Sequence, residues 1–258
     1  MKSLKTYIPS LILSIVLVFT LIGASGALTA VSFANPEKLI KLTSDNDITS
    51  KIQTELESYY SSKYNETGIP AEIYTTAFTD DYIAEVTKIN INAGFNRLNG
   101  EEFDNTTGIE NSDLESSIET FFNDYAESID YDKDDQYYEK IQSTIDSAYS
   151  VVADYCDVFK FSAMENEGIL AKLSKLYVNL DLICILTLAA SLFLFILILI
   201  INIKGISAFF YWLGVSGTVS GILSIIPCIY LKATNYFDAF TIKQSQIFTS
   251  FTSLMYGV

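Results

Sequence analysis

The chain has 258 residues, half of them hydrophobic, with 31 acidic against 16 basic residues and no histidine. A formal charge of −15 excludes a nucleic-acid reader, because phosphate is repelled. The missing imidazole removes the commonest general base and zinc ligand and leaves Cys156, Cys184 and Cys228 without a Cys-His partner.

The charge is unevenly placed. Ala34 to Leu176 holds 29 acidic and 11 basic residues, a net of −18, while the remainder is net +3. The apolar residues concentrate on either side of that stretch. The first run is uncharged from Thr6 to Pro36 and follows Lys2 and Lys5. This predicts an N-terminal membrane anchor over residues 1–33 with its start held in the cytoplasm. A cleaved signal peptide is the rival, since Ser25-Gly26-Ala27 and Ser32-Phe33-Ala34 offer small residues to a peptidase. Its apolar core would span only about 7–15 residues, so an uncleaved anchor is the reading adopted.

The acidic stretch, 34–176, reads as helical because its apolar residues recur every three or four positions. Ile48, Ile52, Leu56, Tyr60 and Tyr64 form one stripe. Pro70 suits the first turn of a short segment reaching Phe78. Thr79 with Asp80 and Asp81 reads as an N-cap and acidic first turn, ahead of a face of Tyr82, Val86, Ile89, Ala93 and Arg97 that stops at Asn99-Gly100. The clearest loop is Glu101 to Asn111. Ser112 and Glu115 have capping-box spacing before Leu114, Ile118, Phe122, Tyr125 and Ile129. After an Asp-rich turn come Tyr138, Ile141, Ile145, Tyr149, Val152, Cys156 and Phe159. A final segment from Gly168 is expected to run into the second span.

Residues 177–231 predict a transmembrane hairpin, 177–203 and 206–231. Leu182 to Ile203 gives 22 uncharged residues and Gly205 to Leu231 gives 27, each enough at about 1.5 Å per residue to cross a core ~30 Å thick. Lys204 marks the turn as cytoplasmic, so the acidic domain is expected outside. Pro227 is expected to kink the second half. In 232–258, Phe240, Ile247, Phe248, Phe251, Leu254 and Met255 recur at helical spacing. They read as a surface amphipathic helix or, preferred here, as an outer loop and the truncated start of a fourth span.

Asn35-Pro36, Gly68-Ile69-Pro70, Leu98-Asn99-Gly100 and Tyr211-Trp212-Leu213-Gly214 occur in that order. In this layout the chain resembles a broad set of uncharacterised Gram-positive membrane proteins. Those have an N-terminal anchor, a helical extracytoplasmic domain and a C-terminal transmembrane hairpin. The resemblance implies a four-span layout and no known reaction.

Several constellations invite chemistry. Asp130, Asp132 and Asp134 alternate like the first ligands of a calcium loop, but the glycine expected at position six is Asp135 and the glutamate at twelve is Ile141. A solvated acidic turn explains them more simply. Asp181 reads as interfacial, Cys184 and Cys228 as unpaired, and Asn65 and Asn105 as ordinary loop residues. Gly214, Gly217, Gly221 and Ser224 share one helical face, and Gly23, Ala27 and Ala30 offer a small face on the first span. These predict close helix packing between the two spans, or dimerisation through Gly217–Gly221.

The expectation is an all-α integral membrane protein with three spans, an acidic helical ectodomain and no cofactor. It would sit in the plasma membrane as a multi-pass protein, its partners being the bilayer, an unidentified envelope component and another subunit met through the small faces. Its role would be non-enzymatic, as scaffold, sensor or interaction protein. A transport-associated subunit and a membrane-anchored hydrolase built on carboxylate pairs are the alternatives.

Overall fold

A computed structural model describes residues 2–257, with side chains from Thr6 to Tyr256. The side chains of Lys2 and Lys5, and Val258, therefore lie outside the described residues. Among those residues every regular element is helical and no strand occurs. Three helices are long and apolar enough to cross a membrane. The chain divides into two units, one holding these helices and one polar.

The apolar unit comprises Met1–Asn35 and Lys175–Phe240. Its helices are α1 (Lys2–Phe33), α10 (Leu180–Ile201) and α11 (Ile206–Ala233), followed by a 3-10 turn at Tyr236–Ala239. Long uncharged runs form helices because lipid leaves the backbone to satisfy its own hydrogen bonds. Pro227 lies inside α11 and removes one of its donors. The α10–α11 turn closes with the Gly205 N–H donating to the Asn202 carbonyl at 2.8 Å. These two sequence neighbours touch each other little, however, because α1 packs along both of them. Leu17, Leu194, Ile198, Phe209 and Trp212 form the shared interior. Leu192, Phe193, Phe210 and Ile226 face outward at 59–63% exposure, an apolar exterior suited to lipid.

The polar unit comprises Pro36–Ser174 and Thr241–Gly257. Its helices are α2 (Pro36–Asp45), α3 (Ile48–Thr67), α4 (Glu72–Thr75), α5 (Asp80–Leu98), α6 (Ser112–Ser128), α7 (Asp135–Cys156), α8 (Phe161–Asn166) and α12 (Ser245–Gly257); α9 (Ile169–Tyr177) begins in this unit. The α3 stripe is buried from Ile48 to Tyr60, whereas Tyr64 is exposed. Thr79 caps α5, its hydroxyl accepting from the Tyr82 N–H at 3.2 Å, and Asn99-Gly100 ends it with Gly100 at φ 93°.

Helix α5 is the centre of this unit, packing against α2, α3, α7 and α8. A helix covered on several sides shows no single stripe. Ile83, Asn90, Ile91, Gly94 and Phe95 are therefore buried along with Val86 and Ala93, and Arg97 pairs with Glu165 at 2.8 Å. On α7 the buried face runs Tyr137, Ile141, Ile145, Ala148, Val152 and Cys156, and Tyr138 points outward. The segment from Gly168 does not continue into the second span. Helix α9 stops at Tyr177, and a turn at Val178-Asn179 precedes α10.

Helix α12 is held on α2 and α3 by hydroxyl contacts. Thr249 meets Lys51 at 2.7 Å, Ser245 meets Glu55 at 2.9 Å and Ser253 meets Asn46 at 2.9 Å. The segment expected to open a fourth span packs, over its described 13 residues, within the polar unit.

Candidate functional site

The end of the α6–α7 hairpin is built by its caps. Asn111, not Ser112, begins α6, its side-chain oxygen accepting from the Asp113 and Leu114 N–H groups at 2.9 and 3.1 Å. This frees Glu115 to accept from the Tyr149 hydroxyl at 2.8 Å. At the far end of α6 the Asp130 backbone turns left-handed at φ 52°, and the Tyr131 N–H reaches the Ala126 carbonyl at 2.9 Å. Asp134 caps α7 by accepting from the Tyr137 N–H at 2.9 Å. Asn123 fastens the two helices, taking the Lys133 ammonium at 2.8 Å and the Tyr137 hydroxyl at 2.9 Å on one oxygen.

Of the suggested calcium-loop residues, Asp134 accepts from the α7 N-terminus and Asp130 supplies the left-handed turn with its backbone. Among the described residues no group of three or more acidic, cysteine or histidine side chains can hold a metal ion.

What the hairpin end does present is aromatic. Phe121, Phe122, Tyr137 and Tyr138 form a chain of ring contacts at 5.2–6.5 Å, extended by Tyr125 against Phe121 and Tyr131 against Tyr137. Tyr125, Ile129, Tyr131 and Tyr138 are 49–59% exposed. A cleft of about 330 Å³ opens among Phe122, Tyr125, Ile129, Tyr131 and Tyr137, with Lys140 at its border. A second groove, of about 460 Å³, shares Phe122, Tyr125 and Lys140 and reaches Tyr60 and Tyr74. Tyr60 stacks on Tyr74 with centroids 4.0 Å apart. Its hydroxyl has no protein partner, and burial raises its pKa well above the ordinary phenol range. Burial likewise pushes Tyr74 up to about 12, so both phenols stay neutral.

Another groove, of about 430 Å³, contains Glu110, Asp146 and Asp154. Asp154 pairs with Lys160 at 2.9 Å and Asp146 accepts from Gln142 at 2.8 Å, so two of these three carboxylates are engaged. Cys156 is fully buried, and desolvation pushes its thiol up to about 12, the opposite of an activated nucleophile. All three cysteines are free.

The small-residue faces also fall differently from the sequence expectation. Helices α1 and α11 do pack together, but through serines. Ser14 and Ser216 share a hydroxyl–hydroxyl hydrogen bond of 2.6 Å, and the Asn202 amide donates to Ser10 at 2.8 Å. On α11 the interior positions are Phe209, Trp212, Ser216 and Ser220. Gly214 and Gly217 are exposed, Gly221 and Ser224 half-buried, and a methyl group at any of the three glycines would meet nothing within 4 Å. On α1, Ala24 and Ala27 are buried, Gly23 only grazes Thr187 of α10 at 4.0 Å, and Ala30 is exposed. Ridge positions are set by whichever helix lies opposite, and α1 turns its Ser10–Ser14–Leu17 line toward its neighbours.

Two polar ties escaped the sequence reading. One is this serine line, signalled by Ser10 and Ser14 four apart in an apolar run. The other is Asn105, whose amide donates to Asn90 at 2.8 Å and Ser162 at 3.2 Å. The signal for it was an asparagine, Asn90, in the middle of an otherwise apolar helix face.

No protein-family model, curated protein or solved structure matches this chain. Its class is set by the fold alone: an all-helical protein with three helices able to span a membrane.

Proposed function

We propose that this protein is a multi-pass membrane protein of the cell envelope that carries its acidic helical unit outside the cytoplasm and uses it to bind a partner, without chemistry of its own. The observation that carries this reading is the contiguous aromatic surface at the α6–α7 end. There, Tyr125, Ile129, Tyr131 and Tyr138 remain about half exposed. Exposed apolar patches of this kind mark interaction sites.

The orientation follows from positive charge. Ser10 bonds Asn202, so the N-terminal end of α1 and the Lys204 turn share one end of the bundle. Lys2, Lys5 and Lys204 then favour that end as cytoplasmic. At the opposite end the Tyr177 hydroxyl donates to the Ala34 carbonyl at 3.2 Å. Two crossings, α10 and α11, bring α12 back to the side of α3, in keeping with its hydrogen bonds there. The hydroxyl contacts of Ser245, Thr249 and Ser253 with Glu55, Lys51 and Asn46 support a place for α12 in the acidic unit.

Binding is preferred to a hydrolase because the groove of Glu110, Asp146 and Asp154 has two of its acids committed. So does that of Asp47, Asp80, Asp81 and Glu85, where Asp47 accepts from Ser50 and Glu85 pairs with Lys88. Binding is preferred to transport because the buried polar side chains are engaged within the bundle, Ser14 with Ser216 and Ser10 with Asn202, tying helices together as polar side chains do in lipid.

The test is a photo-cross-linking residue at Tyr125 of the full-length protein in native membranes. A discrete adduct is expected, lost on adding Ile129→Asp. An adduct pattern no different from that of the same residue placed at exposed Glu101 would defeat the proposal.

A further inference from the structure

The surroundings of the aromatic cleft specify its partner more closely. From Asp124 to Lys140 the chain places seven acidic residues against two basic, Lys133 and the cleft-lining Lys140, a net of −5. All seven carboxylates are on exposed residues. Only Glu127 forms an ion pair, with Lys133 at 3.5 Å, and Asp134 is occupied by its cap. The cleft itself is the least polar on this face and opens between Tyr125, Ile129 and Tyr137.

We infer that this cleft docks a basic polypeptide segment, with one or two apolar side chains between those three residues and flanking Lys or Arg over the carboxylates and tyrosine faces. The inference rests on the partner-binding reading above. Cations are favoured twice, by the uncompensated carboxylates and by the tyrosine rings, which attract them face-on. Acidic partners, nucleic acids and anionic lipid surfaces are repelled by the same field. An extended ligand is required because the acids are spread over two helix ends and their turn. A cleft of about 330 Å³ holds one or two side chains and cannot bring a small ion to them all. Complementary charge of this sort sets encounter rate and selectivity, and the apolar anchor sets residence.

The experiment uses the full chain in a nonionic detergent and three labelled peptides of equal length, followed by fluorescence anisotropy. The first carries Lys around a central Trp-Leu pair, the second replaces Lys by Glu, and the third keeps Lys but replaces Trp-Leu by Ser. The first is expected to bind at least about tenfold tighter than the others and to weaken about tenfold between about 50 and 500 mM salt, as screening requires. Ile129→Asp is expected to abolish that preference. Asp130→Asn with Asp132→Asn is expected to weaken the first peptide several-fold, asparagine tolerating the left-handed turn at Asp130. Glu101→Gln with Glu102→Gln, an equal charge change in the α5–α6 loop, is expected to leave binding unchanged.

Equal binding of the acidic peptide, or equal loss in the two charge pairs, would overturn the inference. So would full displacement by tetramethylammonium, which would leave a site for a small cation instead. A Tyr125 adduct in membranes without a cationic preference in solution would sink this inference alone and leave partner binding standing.

Discussion

Gly94 sits in the middle of α5 where α8 crosses it. A methyl group there would lie 2.4 Å from the Cγ of Phe161 and 2.6 Å from both Cδ atoms. These are the base and flanks of a rigid ring, not the tip of a flexible chain. The ring has little room to retreat, being packed against Phe95 and Phe159 at 6.1 Å each. Its backbone is also pinned, with the Phe161 N–H donating to Asp157 at 2.9 Å. Overpacking of this kind costs ~1–3 kcal/mol, and the contact sits at the severe end. Alanine returns ~1 kcal/mol of helix propensity over glycine. Gly94→Ala should therefore destabilise the polar unit by about 1–2 kcal/mol, lowering Tm by about 2–8 °C for a unit of this size. The assay is thermal unfolding of the full chain in detergent, with Gly94→Ala/Phe161→Leu as the partner experiment. The double variant should recover most of the loss, since the two sites are in contact. A rise in Tm for Gly94→Ala alone would show that α8 does not pack on α5 as described.

The remaining predictions are briefer. Asn111→Ala removes two cap hydrogen bonds and the amide's 3.0 Å bond to the Ala77 carbonyl; a loss of about 1–2 kcal/mol is expected in urea unfolding, and no shift in midpoint would reject the cap. Ser14→Ala and Ser216→Ala should each lower resistance to unfolding in SDS by ~0.6–1.7 kcal/mol, with a double variant less than additive; strict additivity would mean the hydroxyls do not pair. Gly217→Leu should leave that resistance unchanged, because its added atoms point into open space. If the glycine face joins two copies, the variant should also run as a monomer where wild type does not.

Alkaline pH should destabilise the polar unit. Burial raises the Cys156 thiol from 9.0 to about 12 and Tyr74 from 10.0 to about 12. The unfolded chain then loses these protons first, so stability is full below pH 9 and declines as pH rises toward 12. The slope is about 1.4 kcal/mol per pH unit for each group between its two values. Urea midpoints at pH 8.5 and about 10.5 test this, and equal midpoints would contradict the burial of both groups. Asp104 acts at the other extreme. Hydrogen bonds from the Thr107 and Thr106 hydroxyls and N–H groups hold its carboxyl below the ordinary range. The loop it organises should therefore be firm above about pH 4 and loosen below it.

Much of this architecture is local physics and so was legible in the chain. Uncharged runs of 22 and 27 residues can only be spans or a very large core, and helical periodicity marked α3 and α7, although Tyr64 and Tyr138 fall off the buried faces and Phe159 lies beyond α7. Thr79 and Asn99-Gly100 bounded α5 because caps and left-handed stops depend on residues a few positions apart. The acidic tip between Asp124 and Glu139 was equally visible, but as a failed calcium loop.

Tertiary structure alone decided which faces meet. Periodicity names a face without naming what covers it, and the Ser10 and Ser14 hydroxyls of α1 meet Asn202 and Ser216, about 200 positions away. The glycines that invited close packing were left outside for the same reason. Asn105, a loop residue by sequence, became a half-buried tie because Asn90 and Ser162 arrive from separate helices. The aromatic cleft exists because α6 and α7 are fastened at Asn123, so that rings spaced along two segments become one surface. A single strand of sequence specifies each ring and each charge. Their juxtaposition is a property of packing, and packing is where the function of this protein has to be sought.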